Sequence, residues 1–345
     1  MKPLVAVIGG FLGAGKTTLI LKAARILQAR GVSVAAVLND QGDELVDTEL
    51  ARHNGVPADQ VTGGCFCCRF PELIEALERL RTHTPEVIFA EAVGSCTDVV
   101  ATTLRPLLRD YGASYRIAPL TVLVHEVPDD PDLRFLFDRQ VAEADLAINR
   151  DVDIEGWLDS LLAGGIRAGT KAIEVDYARY AEAEAALGWL NARVTVRPSP
   201  PASPAMVLGP LVDELDRALT AAGIRIVHLK ALAQCESGYV KAALTGNRRE
   251  PAVEGVLDAS PAAEHEILLN LRALGAPERL REIVEAAFAN MPTGELAVQA
   301  FRPAPPVPAD VAVSDLRRSV GGYKAGSRSP ESAPASRAGS SPISA

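Results

Sequence analysis

A glycine-rich segment near the amino terminus constrains the fold of this chain more than any other feature. Residues 10–17 are Gly-Phe-Leu-Gly-Ala-Gly-Lys-Thr and match the phosphate-binding pattern G-x-x-x-x-G-K-[ST]. The apolar residues 3–8 before it predict a buried strand, and the apolar periodicity of residues 17–30 predicts a helix that stops at Gly31. A strand, a glycine-rich loop and a helix in this order predict a phosphate-binding junction.

The chemistry of phosphate binding explains the residue types in this loop. Glycines let the backbone approach phosphate oxygens, and the N–H groups at a helix amino terminus attract anions. Lys16 is expected to reach the β- and γ-phosphates of a nucleotide, and Thr17 to bind Mg²⁺. We therefore predict catalytic roles for Lys16 and Thr17. The predicted nucleotide-binding residues of the loop are Gly10, Gly13, Ala14, Gly15, Lys16, Thr17 and Thr18.

Short apolar segments alternate with helical patterns along the first half of the chain. This alternation predicts an α/β fold of the P-loop NTPase type, with a mostly parallel sheet covered by helices on both faces. A helix is expected near residues 71–82. Further strands are expected at residues 34–38, 87–90, 120–124, 146–149 and 172–175.

Prolines then divide the chain. Residues 197–210 hold Pro198, Pro200, Pro201, Pro204 and Pro210, a density that predicts a linker. The predicted organisation is a P-loop domain, a proline-rich linker, a smaller α+β domain and a disordered tail rich in Pro, Ser, Gly and Ala. These four parts span residues 1–197, 198–206, 207–302 and 303–345.

Composition excludes several classes of protein. With 35 basic and 44 acidic residues the formal charge is −9, which argues against a large basic surface for nucleic acid. No apolar run approaches the roughly 20 residues of a membrane span. Five cysteines are too few for a disulfide-stapled secreted domain. We expect a cytoplasmic protein without nucleic-acid or membrane partners.

A second motif follows the predicted strand at residues 87–90. Glu91 stands at the end of this strand, and Gly94 lies three residues later. An acid at this position can hold the Mg²⁺ shell, and the glycine N–H can contact a γ-phosphate and move on hydrolysis. Beside the phosphate loop, this pattern predicts catalytic roles for Glu91 and Gly94, with Thr17 and Glu91 as the Mg²⁺ ligands.

The third motif is a cysteine cluster, Gly63-Gly64-Cys65-Phe66-Cys67-Cys68. Thiolates are soft ligands that suit Zn²⁺ and similar ions. On an extended strand Cys65 and Cys67 would share a face, while Cys68 would point elsewhere. We therefore expect two thiolates plus an outside group to bind the metal. A redox pair and buried packing remain the alternatives.

These three motifs in this order resemble the CobW-type GTPases, relatives of the hydrogenase and urease maturation GTPases HypB and UreG. The resemblance covers roughly residues 1–175 and is specific, because the C-x-C-C element lies between the two nucleotide motifs. It implies a GTP-dependent carrier of zinc or cobalt, with a metal site at Cys65, Cys67 and Cys68. It also implies a carboxyl-terminal α+β domain.

The chain departs from the family pattern at several positions. Asp40 stands where the family has a glutamate implicated in metal or Mg²⁺ contact, so the resemblance implies a shortened version of that role. Asp47 matches a usual aspartate of the family. Cys96 is an unusual extra thiol beside the second nucleotide motif. As a hypothesis, Cys96 joins Cys65 and Cys67 as a metal ligand.

The guanine-reading motif is the weakest match. The family has Asn-Lys-x-Asp after a strand, whereas this chain has Asn149-Arg150-Asp151-Val152-Asp153. We expect Asn149 to contact the base, and Asp151 or Asp153 to replace the missing acid by a local shift. Since that acid discriminates against adenine, ATP remains an alternative to GTP.

Two functional hypotheses follow. The first is a GTPase with slow intrinsic turnover that uses Mg²⁺ and delivers zinc or cobalt to a client metalloprotein, with a homodimer as an open alternative. The second is a nucleotide-gated docking module for a metalloenzyme or a corrinoid enzyme, in which the cysteines are structural or redox-active. Metal stoichiometry distinguishes the two hypotheses.

Overall fold

A parallel sheet lies at the centre of the amino-terminal half, in a computed structural model that describes residues 2–43, 46–246, 250–303 and 305–306. Its strands are β1 (Leu4–Gly9), β2 (Val34–Asn39), β3 (Ala58–Val61), β4 (Val87–Glu91), β5 (Arg116–Ile117), β6 (Thr121–Leu123) and β7 (Leu146–Ile148). Their order is β3-β2-β4-β1-β6-β7, with β5 also paired to β1, and each pair is parallel.

Helices connect these strands. They are α1 (Lys16–Ala29), α2 (Val46–His53), α3 (Phe70–Leu80), α4 (Arg105–Tyr111), α5 (Pro131–Glu143), α6 (Ile154–Ala163) and α7 (Tyr177–Ala185). A 3₁₀ turn, Arg81–His83, follows α3, and a π-helical turn, Val100–Leu104, precedes α4.

Both faces of the parallel sheet are covered. Ala6 and Ile8 of β1 pack in one hydrophobic cluster with residues of α1 and α6. Val5 and Val7 of the same strand pack in a second cluster with residues of α3 and α5. Successive side chains of a strand point to opposite faces, so an unbroken apolar strand requires an apolar layer on each side. The predicted α/β fold with two helical layers is confirmed.

An antiparallel sheet forms the carboxyl-terminal half. Its elements are β8 (Leu187–Val196), α8 (Pro204–Ala221), β9 (Arg225–Cys235), β10 (Gly238–Thr245), β11 (Ala252–Gly255), β12 (His265–Leu274), α9 (Pro277–Ala289) and β13 (Thr293–Phe301). The strand order is β11-β10-β9-β12-β8-β13, and neighbouring strands are antiparallel. This arrangement confirms a second, α+β unit.

The two faces of the second sheet differ in polarity. Leu269 and Leu271 of β12 belong to the core that α8 and α9 cover. The alternate residues of the same strand, Asn270 and Arg272, are also buried, but they face the first unit, where they contact residues before and within α2. The second sheet therefore presents a polar face to the phosphate-binding half of the molecule.

Three details of the sequence predictions are wrong. Residues 187–197 were expected in the first domain, but β8 pairs with β12 and β13 of the second sheet. Residues 172–175 form no strand; Ala172 and Glu174 are exposed, so the segment lacks the buried apolar face of a strand. The linker expected at 198–206 is shorter, since α8 begins at Pro204, where a first-turn proline loses no hydrogen bond.

We therefore propose a domain boundary just before Leu187. Of the disordered tail predicted at residues 303–345, nearly all lies outside the described residues. No described helix has both the length and the apolar character needed to cross a bilayer.

Candidate nucleotide and metal site

The phosphate loop connects β1 to α1, as its sequence predicts. Gly15 precedes the helix in the left-handed region at φ 101°, a conformation that glycine adopts without a Cβ clash. The Lys16 ammonium donates to the carbonyl oxygen of Gly10 at 2.8 Å and is buried against the loop. Burial lowers the pKa of Lys16. The Lys16 ammonium therefore lies against the backbone carbonyl oxygens of the loop.

Oxygen donors from three segments meet beside the loop. The Thr17 hydroxyl donates to Oε2 of Glu91 at 2.9 Å, and both side chains are buried. Burial, together with the nearby Asp47 carboxylate, raises the pKa of Glu91. Within the described residues, Oδ1 of Asp47 is buried and has no hydrogen-bond partner. A hydroxyl and buried carboxylates are the hard donors that Mg²⁺ prefers, so these residues fit the ion.

The segment after β4 packs closely on the phosphate loop. A Cβ added at Gly94 would lie 2.7 Å from Cδ2 of Leu12 and 3.0 Å from its Cα, so only glycine allows this approach. Gln140 of α5 donates to the carbonyl oxygens of Gly94 and Cys96, at 2.9 and 3.0 Å. No sequence motif marks Gln140, although it fixes the backbone on either side of Ser95.

The residues expected to contact the base do not all lie at the same cavity. Asn149 and Arg150 line the same cavity as the phosphate loop. Arg150 Nε donates to the carbonyl oxygen of Ala14 at 2.9 Å, so this side chain supports the loop. Asp151 is exposed and is not among the described residues that line the cavity. Asp153 caps α6 by accepting from the N–H of Glu155 at 3.1 Å.

The three clustered cysteines lie in a turn before α3, not on a strand. Their sulfur atoms all lie within 4.8 Å of one another, so the expectation that Cys68 points away is wrong. A turn curls the backbone, whereas the expectation assumed the period of two of an extended strand. Cys65 and Cys67 are joined by a disulfide, and the Cys68 sulfur is 3.7 Å from each of them.

Two nucleotide-site segments contact this turn. Asn39, at the end of β2, accepts from the Phe66 N–H at 2.9 Å and donates to the Gly64 carbonyl at 2.8 Å. Cys96, two residues after Gly94, places its sulfur 3.6 Å from that of Cys67. Burial, with Glu184 and Glu143 nearby, raises the pKa of the Cys96 thiol. The cysteine turn is thus attached to two segments: the end of β2 beside Asp40, where the resemblance implies metal or Mg²⁺ contact, and the segment of Gly94, which is expected to move on hydrolysis.

Asp40 does not join the sulfur cluster. Its carboxylate accepts from Arg272 of the second sheet at 2.6 Å. Among the described residues, the group with metal-ligand spacing consists of Cys65, Cys67 and Cys68. No sequence motif marks Arg272, because a polar residue at an alternate position of an apolar strand has meaning only once the surface that faces it is known.

Comparison with known proteins agrees with this geometry. Residues 4–155 match the family model "CobW/HypB/UreG, nucleotide-binding domain". These residues form a CobW/HypB/UreG nucleotide-binding domain. The matched region contains the phosphate loop, the cysteine turn, Glu91 and Asn149, so the resemblance inferred from the motifs is confirmed.

Curated relatives of the CobW/HypB/UreG domain include two zinc chaperones and a urease accessory protein. The zinc chaperone YjiA of Escherichia coli is 28% identical over 173 residues, which are 47% of this chain and 53% of YjiA. The urease accessory protein UreG of Ureaplasma parvum is 32% identical over 120 residues, 32% of this chain and 57% of UreG. The zinc chaperone CobW of a Sinorhizobium species is 36% identical over 100 residues, 26% and 27% of the two chains. The chain thus spans about half, or less, of the length of these relatives.

Proposed function

We propose that this protein binds and hydrolyses GTP and carries a transition metal, zinc or cobalt, at Cys65, Cys67 and Cys68 for delivery to a client metalloprotein. The observation that supports this most is the attachment of the cysteine turn to both nucleotide loops, through Asn39 and through Cys96. A change of either loop on hydrolysis would alter the positions of the sulfur ligands. The relatives YjiA and CobW, which are zinc chaperones, support the same proposal.

The nucleotide chemistry follows from the loop. Lys16 would leave the Gly10 carbonyl for phosphate oxygens, and the backbone N–H groups of the loop would hold the same anion. Thr17 and Glu91 would hold Mg²⁺, which supplies positive charge to the phosphates when bound. Gly94 would place its N–H beside the terminal phosphate. Together these residues would supply the positioning and charge that phosphoryl transfer requires.

We propose GTP as the nucleotide, with Asn149 as its base contact. An Asn149→Ala variant should then lose affinity for GDP, while Asp151→Ala, which changes an exposed side chain, should not. Titration of both variants with fluorescent GDP and ADP tests this. A loss of guanine preference on Asp151→Ala alone would show that the base-reading acid lies there.

The main experiment measures zinc and cobalt affinity of the reduced protein with no nucleotide, with GDP·Mg²⁺ and with a non-hydrolysable GTP analogue and Mg²⁺. A Cys65→Ser/Cys67→Ser variant should lose metal binding, and Cys235→Ser, remote from the turn, serves as the control. Binding of one ion that requires the clustered cysteines and changes with nucleotide supports the carrier. Weak binding that is indifferent to nucleotide contradicts it.

The disulfide between Cys65 and Cys67 favours a second candidate function. In it, the protein is a nucleotide-gated docking module for a metalloenzyme or a corrinoid enzyme, and the cysteines are structural or redox-active. Nucleotide-dependent binding to such an enzyme, with no metal bound by the reduced protein, would select this candidate.

A further inference from the structure

Two lysines of the second sheet face the cavity that the phosphate loop lines. The cavity has a volume of about 300 Å³, within the range of sites for small ligands. The phosphate loop and Glu91 line one side of it, and His228, Lys230 and Lys241 line the other. Burial lowers the pKa of His228 well below its usual value, so this ring is neutral. Lys16 on the first side, and Lys230 and Lys241 on the second, place cationic side chains on both walls of the cavity.

The second sheet lies directly against the loop. A Cβ added at Gly13 would lie only 2.5 Å from Cγ2 of Thr245 in β10. One strand away, the Lys230 ammonium of β9 is 3.4 Å from the Thr17 hydroxyl. Since Thr17 is expected to hold the Mg²⁺ that bridges the β- and γ-phosphates, Lys230 lies within reach of the oxygens of those phosphates.

Lys230 is an ion at this position. It pairs with Asp47, and the two side chains are 14% and 15% exposed. A buried ammonium that is paired with a carboxylate can exchange this partner for another anion, because the long, flexible lysine side chain allows the charged group to move.

We propose that Lys230 is a residue of the nucleotide site, supplied by the second sheet, that exchanges the Asp47 carboxylate for a terminal phosphate oxygen of bound GTP. The proposal rests on GTP being the substrate. In hydrolysis, water forms a new bond to the γ-phosphorus, and the bridging P–O bond breaks with its electron pair left on GDP. The proton that the attacking water loses passes to an oxygen of the departing inorganic phosphate. Lys230 transfers no proton; its charge stabilises the oxygens of the transferred group. The charge of this lysine would add to that of Lys16, which lines the same cavity.

The consequence is a catalytic site divided between two domains. On GTP binding, the ion pair between Lys230 and Asp47 would be replaced by a contact of Lys230 with the terminal phosphate. The terminal phosphate would then contact the second sheet as well as Gly94. After hydrolysis and phosphate release, Lys230 would return to Asp47. The position of the second sheet is thereby linked to the nucleotide.

The test compares four variants with the wild-type chain. Lys230→Met keeps the aliphatic stem and removes the charge, and Lys230→Arg keeps the charge. Asp47→Asn/Lys230→Met removes both members of the pair, so that no buried carboxylate is left without a partner. Arg193→Met, which removes a cation paired with Glu266 on the same sheet, is the control. Circular dichroism establishes that each variant is folded.

Affinity is measured for GDP and for the non-hydrolysable analogue GMPPNP, with Mg²⁺ and in EDTA, together with kcat for GTP. We expect Lys230→Met and the double variant to bind GMPPNP about 10- to 100-fold more weakly and to hydrolyse GTP about 100-fold more slowly. GDP affinity should change by no more than about twofold, because GDP lacks the contacted phosphate. Lys230→Arg should recover most of the GMPPNP affinity, and Arg193→Met should match the wild type.

A double variant that binds GMPPNP as tightly as the wild type, in Mg²⁺ and in EDTA, would overturn the proposal. Lys230 would then serve only to neutralise Asp47. This failure is distinct from failure of the proposed function, since the wild type would still bind and hydrolyse GTP. A wild-type chain that binds neither nucleotide would overturn both.

Discussion

The sulfur of Cys96 lies 3.6 Å from that of Cys67, although 29 residues separate them in the chain. Cys67 belongs to the turn before α3, and Cys96 follows Gly94 after β4. The two segments follow β3 and β4, which lie on either side of β2 in the parallel sheet, so the loops at their carboxyl ends lie at the same edge of the sheet. The Cys96 thiol is therefore next to Cys67, although it lies outside the group with metal-ligand spacing that Cys65, Cys67 and Cys68 form.

This position makes Cys96 a testable ligand. We expect Cys96→Ser to weaken zinc affinity of the reduced protein by at least about tenfold, because a hydroxyl is a poor substitute for a thiolate. Competition with a chromogenic chelator measures the change. Cys235→Ser, in which the removed thiol contacts Ser237 instead, should have wild-type affinity. Equal zinc affinity for the wild type and Cys96→Ser would exclude Cys96 from the site.

Metal binding should also depend on reduction. The disulfide occupies the sulfurs of Cys65 and Cys67, and metal ligation requires free thiolates. A thiol reagent should therefore react with three of the five cysteines of the oxidised protein, and this protein should bind zinc weakly. A phosphine reductant should make all five cysteines reactive and restore zinc binding. Oxidised and reduced samples with the same zinc affinity would contradict this expectation.

The pair of Asp40 and Arg272 should stabilise the contact between domains. Arg272 is 3% exposed, lies 4.1 Å from the ring of Trp189, and donates to Asn191 as well as to Asp40. Arg272→Ala would leave a largely buried carboxylate unpaired and should cost about 3 kcal/mol of the free energy of unfolding. Urea denaturation measures this cost.

The matched control for Arg272 is an exposed pair on the same sheet. Arg193 and Glu266 are 41% and 33% exposed, so Arg193→Ala should cost less than about 1 kcal/mol. Comparable losses in the two variants would show that burial of the Asp40 pair has no special effect.

Glu143 should make stability depend on pH. Burial is the main cause that raises its pKa to about 8, although it accepts from the Val100 N–H at 2.9 Å. A carboxyl with a raised folded-state pKa contributes stability that is present below its unfolded pKa near 4.5 and is lost as pH rises through about 8. Each pH unit in this window corresponds to about 1.4 kcal/mol at most.

Glu143→Gln tests this dependence, because the amide keeps an acceptor for Val100 and cannot ionise. The variant should match the wild type near pH 5 and unfold at a higher temperature near pH 8. Glu155→Gln, a change at an exposed side chain, should follow the wild-type profile. A Glu143→Gln variant with the wild-type pH slope would show that Glu143 does not titrate in this window.

Much of the first domain could be predicted because its signals are local. The loop at Gly10–Thr17, the strand that ends in Glu91 and the apolar alternation with helices each lie within a few neighbouring residues. The predictions that failed concern features that depend on contacts between residues far apart in the chain. Residues 187–196 were expected in the first domain with no strand predicted there, and only their pairing with β12 assigns them to the second sheet.

The sequence by itself determined the phosphate loop, the parallel sheet and the cysteine cluster, since glycine geometry, side-chain period and thiol chemistry all act over short spans of chain. Only the tertiary structure decided which distant side chains complete these elements. Cys96 meets Cys67, Arg272 meets Asp40, and Lys230 meets Thr17 because sheet packing superposes surfaces far apart in the chain. Such contacts depend on strand order and on the face that each strand presents to the other domain, which local periodicity cannot specify.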